Sequence, residues 1–226
     1  MTTIRLYTQN TNPFSEKVAL GLRLKRLPFE RVVSDNPEDV RRWSPVTHRL
    51  PVLEIDGERV AESAEILARL DELYPEPSLH ARDPRTKEAQ ARLAEWSDSS
   101  LLWYWDRWRE ARYPRPGDEQ PASPGLLGRI RSSLGIGEEG LSRVELRELE
   151  VVTDIAKTLD DLVGFLGTRP FFHSEQASLA DLSVFGMLRI LCDGPIPHTR
   201  ELLEERPELW SYVERMEKLI AKFPEG

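Results

Sequence analysis

Sulfur is almost missing from this chain of 226 residues, which holds one cysteine, Cys192, and three methionines. A lone cysteine excludes an intrachain disulfide, a CxxC redox pair and a cysteine-ligated zinc site. Its surroundings, "MLRILCDG", read as the end of a buried helix, so Cys192 is expected to be a small core thiol. Histidine is scarce as well: His48, His80, His173 and His198 are scattered without an i, i+4 pair, and no metal site is expected. Long apolar runs are lacking, and "MTTIRLYTQN" enters a strand pattern at once instead of a signal-peptide core. A cytoplasmic location away from membranes is the expectation. Nor is there an excess of positive charge: 31 Lys and Arg face 39 Asp and Glu, giving a net charge of −8 with both signs mixed along the chain. That balance argues against a nucleic-acid partner and against a polybasic membrane patch. Gly-rich phosphate loops, GxSxG and internal repeats are missing too.

What is present divides the chain in two. At 39% hydrophobic residues the chain can bury a sizeable core. Ile4 to Tyr7 is a short apolar strand pattern, and from Ser15 to Lys25 the period changes to that of a helix, which must stop before Pro28. "FERVVS" is a second strand, followed by a less regular segment with room for a helix. "VLEI" and "RVAE", joined by Asp56-Gly57, make a hairpin. Ser63 then reads as the cap of a helix running to about Leu73. A helical crossover makes the first two strands parallel, and the hairpin pair is antiparallel. The result is a mixed four-stranded sheet with helices, spanning residues 1–76.

The Pro-rich stretch "YPEPSLHARDP", Tyr74 to Pro84, places a linker at 77–85, and 86–226 read as an all-helical second domain. Long helices are expected from Thr86 to about Arg112 and from Leu141 to Leu166, with others over "SLADLSVFGMLRIL" and from Pro207 to the end. "SLAD" has the spacing of a capping box, Ser178 with Asp181, whose role is in folding. The loop after Tyr113, residues 113–125, is longer than a plain helical hairpin needs, and both a lid and an insertion would account for it.

A proline loop opening the first helix, "RLPVL" before a hairpin, "ES" opening the next helix and "SLADLSVFG" in a helical second half stand in matching order. In these features the whole chain resembles the cytosolic glutathione transferase superfamily. The resemblance implies a thioredoxin-like N-terminal domain, a helical C-terminal domain, a homodimer, and glutathione as co-substrate without a metal. It implies a cis bond at Leu50-Pro51 that turns the Leu50 backbone toward the cysteinyl part of glutathione. Glu62 and Ser63 would meet the γ-glutamyl ammonium and carboxylate, and Arg49 the glycyl end, where His48 or Lys17 would also serve.

The loop that carries the resemblance departs from it in one respect. Asn12 stands where related families place a catalytic cysteine or serine, and Ser15 takes the place of the second cysteine of the glutaredoxin pair. Neither forms a mixed disulfide. Transferase chemistry needs only that the protein favour glutathione's own thiolate. Lowering a thiol pKa from about 8.5 to about 6.5 takes roughly 2.7 kcal/mol, within reach of one hydrogen bond plus a helix N-terminus. Asn12 is the first candidate donor, Ser15 the second and Tyr7 the third. The plain alternatives are a turn cap for Asn12, a helix cap for Ser15 and a core-facing strand residue for Tyr7.

"EWSDSSLLWYWDRWREARY" sets an aromatic stripe on one helix, with Leu101, Trp105 and Trp108 on a shared face. In the family this helix borders the site of a small hydrophobic second substrate, so Trp105 and Trp108 are the expected pocket residues. The reading is a glutathione transferase-like enzyme that conjugates or reduces a hydrophobic electrophile, or a disulfide with two glutathiones. A non-catalytic interaction or regulatory module on the same fold is the alternative; retention of Glu62-Ser63 counts against it.

Overall fold

The computed structural model describes residues 2–10, 12–113 and 143–222. Nearly all of the Pro-rich stretch 113–125, and the expected helix start at Leu141, lie outside the described residues. Strand β1 (Ile4–Thr8) runs through the middle of a four-stranded sheet of order β2-β1-β3-β4, with β2 at Glu30–Val33, β3 at Val52–Ile55 and β4 at Glu58–Ala61. It pairs in parallel with β2 and antiparallel with β3, and β3 pairs antiparallel with β4, as the crossover and the hairpin signal require. Asp56 and Gly57 turn the hairpin with φ of 50° and 92°, the left-handed pair that Asp-Gly tolerates.

Helix α1 (Pro13–Leu24) begins two residues earlier than its apolar period predicts. Its cap is Asn12, whose side-chain oxygen accepts the Ser15 amide at 3.0 Å, with Pro13 preset in the first turn. Helix α2 (Pro37–Trp43) fills the irregular segment and is capped in the same way by Asn36. Helix α3 (Ser63–Leu73) corrects one expectation. Ser63 is its first helical residue and not its cap; Glu62 holds the cap position with φ 66° and makes no side-chain cap bond.

The helical half consists, among the described residues, of α4 (Pro84–Arg112), α5 (Arg143–Leu166), α6 (Leu179–Asp193), α7 (Thr199–Glu204) and α8 (Pro207–Ala221). From Ala180 to Leu188, Leu182 and Leu188 included, every residue of α6 is buried, so this part runs through the centre and packs against α4 and α1. Truncating one of these leucines to alanine costs about 3 kcal/mol. A methyl group at Gly186 would stand 3.1 Å from the Pro13 carbonyl, so a glycine lets α6 approach the start of α1. The "SLAD" capping box forms, and the Asp181 carboxylate accepts the Ser178 amide at 2.8 Å and the Phe172 amide at 3.0 Å. Burial pushes the Asp181 carboxyl up to about 6 despite these bonds.

One core runs through both halves, from Leu6 and Leu53 on the sheet to Phe185 and Tyr212. The other face of the sheet holds a small second cluster of Tyr7, Val40, Trp43, Leu50 and Val52 under α2, because successive strand residues alternate faces. Polar ties join the halves. The buried Lys17 ammonium on α1 lies 2.6 Å from Asp98 on α4, and Glu16 pairs with Arg31 and, at 3.4 Å, with Arg189 on α6. The fully buried Lys25 ammonium donates to Asp71 at 2.6 Å and to the carbonyls of Tyr74 and Pro77 at 2.6 and 3.0 Å. The linker carbonyl of Leu79 in turn accepts the Leu179 amide at the start of α6.

Candidate functional site

Strand register gathers the expected glutathione residues at one end of the sheet. Tyr7 lies opposite Val52 and Val52 opposite Ala61, so the loop after β1, the loop before β3 and the loop after β4 emerge together. Those loops carry Asn12, Leu50-Pro51 and Glu62-Ser63. The Asn12 side-chain amide donates to the Leu50 carbonyl at 3.3 Å while its oxygen caps α1. A primary amide has two N–H donors, so one N–H is left beyond the Leu50 bond.

The Leu50-Pro51 peptide is cis, and both residues are buried. Arg49 is exposed on the same loop, next to His48 with φ 54°. Glu62 is exposed with its backbone in the left-handed region, a conformation that costs a non-glycine residue about 1 kcal/mol. Ser63 follows it at the start of α3, 8% exposed. The first amides of α3 beside this junction form a helix N-terminus, an arrangement able to accept a carboxylate.

Only one of the three candidate thiol donors stands at the cleft. Ser15 is fully buried, and among the described residues its hydroxyl has no hydrogen-bond partner. One turn into α1, it points into the core. Tyr7 is buried on the α2 face of the sheet, its ring 4.9 Å from Trp43 and 5.1 Å from the Arg59 guanidinium, and its hydroxyl donates to Glu54 at 3.1 Å. Arg59 above all, with Tyr7 and Arg5, holds the Glu54 carboxyl below its ordinary range. Tyr7 is thus committed to a structural network.

Beside Asn12 a cleft of about 260 Å³ opens between the two halves, walled by Phe14 of α1, Leu101, Leu102 and Trp105 of α4, and Ile190 of α6. Trp105, one of the two expected pocket residues, lines this cleft. Trp108 does not: it is buried behind Trp105, ring centroids 5.7 Å apart, in the core. The apolar period alone could not say which turn of α4 meets the cleft. Gln9, Asn10 and Asp35 form the polar rim and were not foreseen. Parallel pairing of Thr8 with Val33 brings Asn10 beside Asp35 two residues further on, at the carboxyl ends of two parallel strands where ligands bind in such sheets. That register was the available signal.

Cys192 is partly exposed at the end of α6, and burial raises its thiol to about 11, which leaves it protonated near neutrality. Among the described residues no three His, Cys, Asp or Glu side chains cluster to hold a metal, and no helix is long and apolar enough to cross a membrane.

Comparison with known proteins matches the two halves separately. The glutathione S-transferase N-terminal domain matches residues 12–73, and the glutathione S-transferase C-terminal domain matches residues 155–216. Glutathione S-transferase DHAR2 of Arabidopsis thaliana is 44% identical over 70 residues, 30% of this chain and 32% of that protein. The chain spans between about a third and just over half the length of the curated relatives it matches most strongly. Among solved structures, a glutathione S-transferase from Rhodospirillum rubrum F11 superposes with a TM-score of 0.68 at 21% identity, covering 93% of this chain and 86% of the other. Maleylacetoacetate isomerase from Anaeromyxobacter dehalogenans 2CP-1, solved with glutathione in its active site, gives 0.61 at 24% identity, covering 95% and 90%. At these identities the superpositions speak for the fold, a thioredoxin-like domain followed by a helical one. With both family domains matched in order, the chain belongs to the glutathione S-transferase superfamily.

Proposed function

We propose that the protein binds reduced glutathione at the sheet end and joins its sulfur, as the glutathionyl group, to a small hydrophobic electrophile held in the cleft between the halves. The observation that carries this reading is the placing of Asn12 between the Leu50 carbonyl and the apolar cleft. Glutathione lies along Leu50 as an added strand, its γ-glutamyl carboxylate on Ser63 and the first amides of α3, its ammonium on Glu62 and its glycyl end toward Arg49. Its sulfur then falls at the start of α1. The second Asn12 N–H and the positive end of the helix lower the thiol pKa, and the thiolate attacks the electrophile beside Trp105. In a substitution the leaving group departs with the bonding electrons; in an addition the adjacent atom takes a proton from water.

Asn12 supplies no sulfur of its own, so a mixed disulfide with the protein has no place in this reading. A homodimer belongs to it, with Trp103 of α4 and Phe165 of α5, 45% and 42% exposed, as apolar surface for a second copy to cover. The deciding experiment is calorimetry with reduced glutathione on the parent protein and Ser63→Ala, followed by a screen of chloronitrobenzene, enone and epoxide electrophiles. Millimolar or tighter binding that Ser63→Ala weakens, with turnover of at least one electrophile, is the expected result. Binding without turnover on any electrophile would reduce the protein to a glutathione-binding module, and no binding at all would refute the reading.

A further inference from the structure

The wall of the cleft is apolar, yet its rim carries a charge. Among the described residues that line it, Asp35 is the one ionisable side chain. Its carboxylate is held in place and does not swing freely: one oxygen accepts the Asn10 amide at 3.1 Å and the other accepts the Asn10 side chain at 2.6 Å. Both donors are neutral. Two carboxylate oxygens offer about four acceptor positions, so about two stay open. The nearby cations on β2 and α6 are engaged elsewhere, since Arg31 and Arg189 both pair with Glu16. Among the described residues no ion pair neutralises Asp35.

We infer that the cleft selects second substrates carrying an ammonium or another N–H cation at the end remote from the reacting atom, with Asp35 as the group that recognises it. The inference rests on the reading above that the cleft takes the electrophile. An oriented, unneutralised carboxylate in a cleft that Trp105 also lines suits a cation, through the ion pair and with an indole in the same cleft for it to meet. It repels an anion by the same charge. Because Asp35 is exposed, each effect is modest, about 5-fold in affinity at low salt.

The test uses three glutathione S-conjugates that differ only at the end of the S-chain: S-hexyl, S-aminohexyl and S-carboxypentyl glutathione, with unsubstituted glutathione as reference. Calorimetry on the full chain should rank them amino, alkyl, carboxy, with about 25-fold between the extremes, narrowing as salt rises. Asp35→Asn keeps an oxygen for the Asn10 amide. It should bind unsubstituted glutathione as before and compress the ranking to within about 2-fold. Equal binding of the three conjugates by the parent protein, or a ranking that survives Asp35→Asn, overturns the inference and leaves the proposed function standing. Failure of unsubstituted glutathione itself to bind overturns both.

Discussion

Asn12 and Leu50, 38 residues apart, are joined by a hydrogen bond of 3.3 Å from the side-chain amide of one to the carbonyl of the other. The same carboxamide caps α1 through the Ser15 amide. One side chain thereby fixes the start of the first helix, the loop of the cis proline, and the direction in which its remaining N–H points.

Replacing Asn12 separates these duties. Asn12→Ala should lower stability by about 1 kcal/mol through loss of the cap. On the proposed function it should also raise the pKa of bound glutathione by about one to two units, the worth of one hydrogen bond to an anion. Asn12→Asp retains the cap oxygen and loses the donor, so it should raise that pKa at least as much while costing less stability. Thiolate ultraviolet absorbance of the complex against pH, with denaturant unfolding of the free proteins, reads both. An unshifted titration in Asn12→Ala would remove Asn12 from sulfur activation.

Ser63 is the first residue of α3 and not its cap, so its hydroxyl is not what starts the helix. Ser63→Ala should leave the melting temperature nearly unchanged and weaken glutathione about 10-fold, equivalent to about 1.4 kcal/mol for a hydrogen bond to a carboxylate. A large drop in melting temperature with unaltered affinity would reverse the assignment.

The Lys17–Asp98 pair is unequal: the lysine side chain is 4% exposed and the aspartate 26%. Asp98→Ala abandons a buried ammonium and should cost about 3 kcal/mol, the low end for breaking a buried pair. Lys17→Met leaves a better solvated carboxylate and should cost less. The double variant should recover part of the loss, which denaturant unfolding in a double-mutant cycle measures.

Asp181 makes stability depend on pH in the opposite sense to most carboxylates. Its folded pKa of about 6 lies above the ordinary 3.8, so the folded state binds the extra proton. Its contribution is complete below the unfolded value and is lost as pH rises through about 6. Asp181→Asn strands the buried Ser178 amide and destabilises at every pH, by about 2 kcal/mol or more. That penalty should be larger near pH 5 than near pH 8 by about 1 kcal/mol, from linkage. His80 and His173, both held low by burial, change stability the other way over this range, but they are common to both proteins and drop out of the difference.

Much of this architecture was legible in the sequence because it rests on local chemistry. Asp56-Gly57 specifies its turn and "SLAD" announces α6, whereas Asp83-Pro84, read as linker, caps and opens α4 two residues ahead of the expected start at Thr86, as Asn12-Pro13 does for α1. The six-residue helix α7 was missed, since too few residues span it to establish a period. The site was half legible. Residues adjacent in sequence to a strand or helix end could be placed by motif, as Leu50-Pro51 and Glu62-Ser63 were. The fates of Ser15, Tyr7 and Trp108 depend on helix phase and on which sheet face packs α2, and both are decided by tertiary packing. Asp35 has no motif at all; only the register of β1 against β2 brings it to the cleft.

The Lys25 ammonium, buried at the far end of α1 from the cleft, has a bearing on how this protein can be taken apart. Its acceptors include the Tyr74 and Pro77 carbonyls, and its helix is roofed by α6. A gene fragment ending after residue 76 would keep Asp71 and Tyr74 but lose the Pro77 carbonyl from the Lys25 ammonium, and it would leave the apolar face that meets α6 uncovered. The first half is therefore no portable cassette: recombination with relatives at the linker has to preserve the α1–α6 seam, with Gly186 and the Leu79–Leu179 bond, or the hybrids will be recovered as insoluble chains.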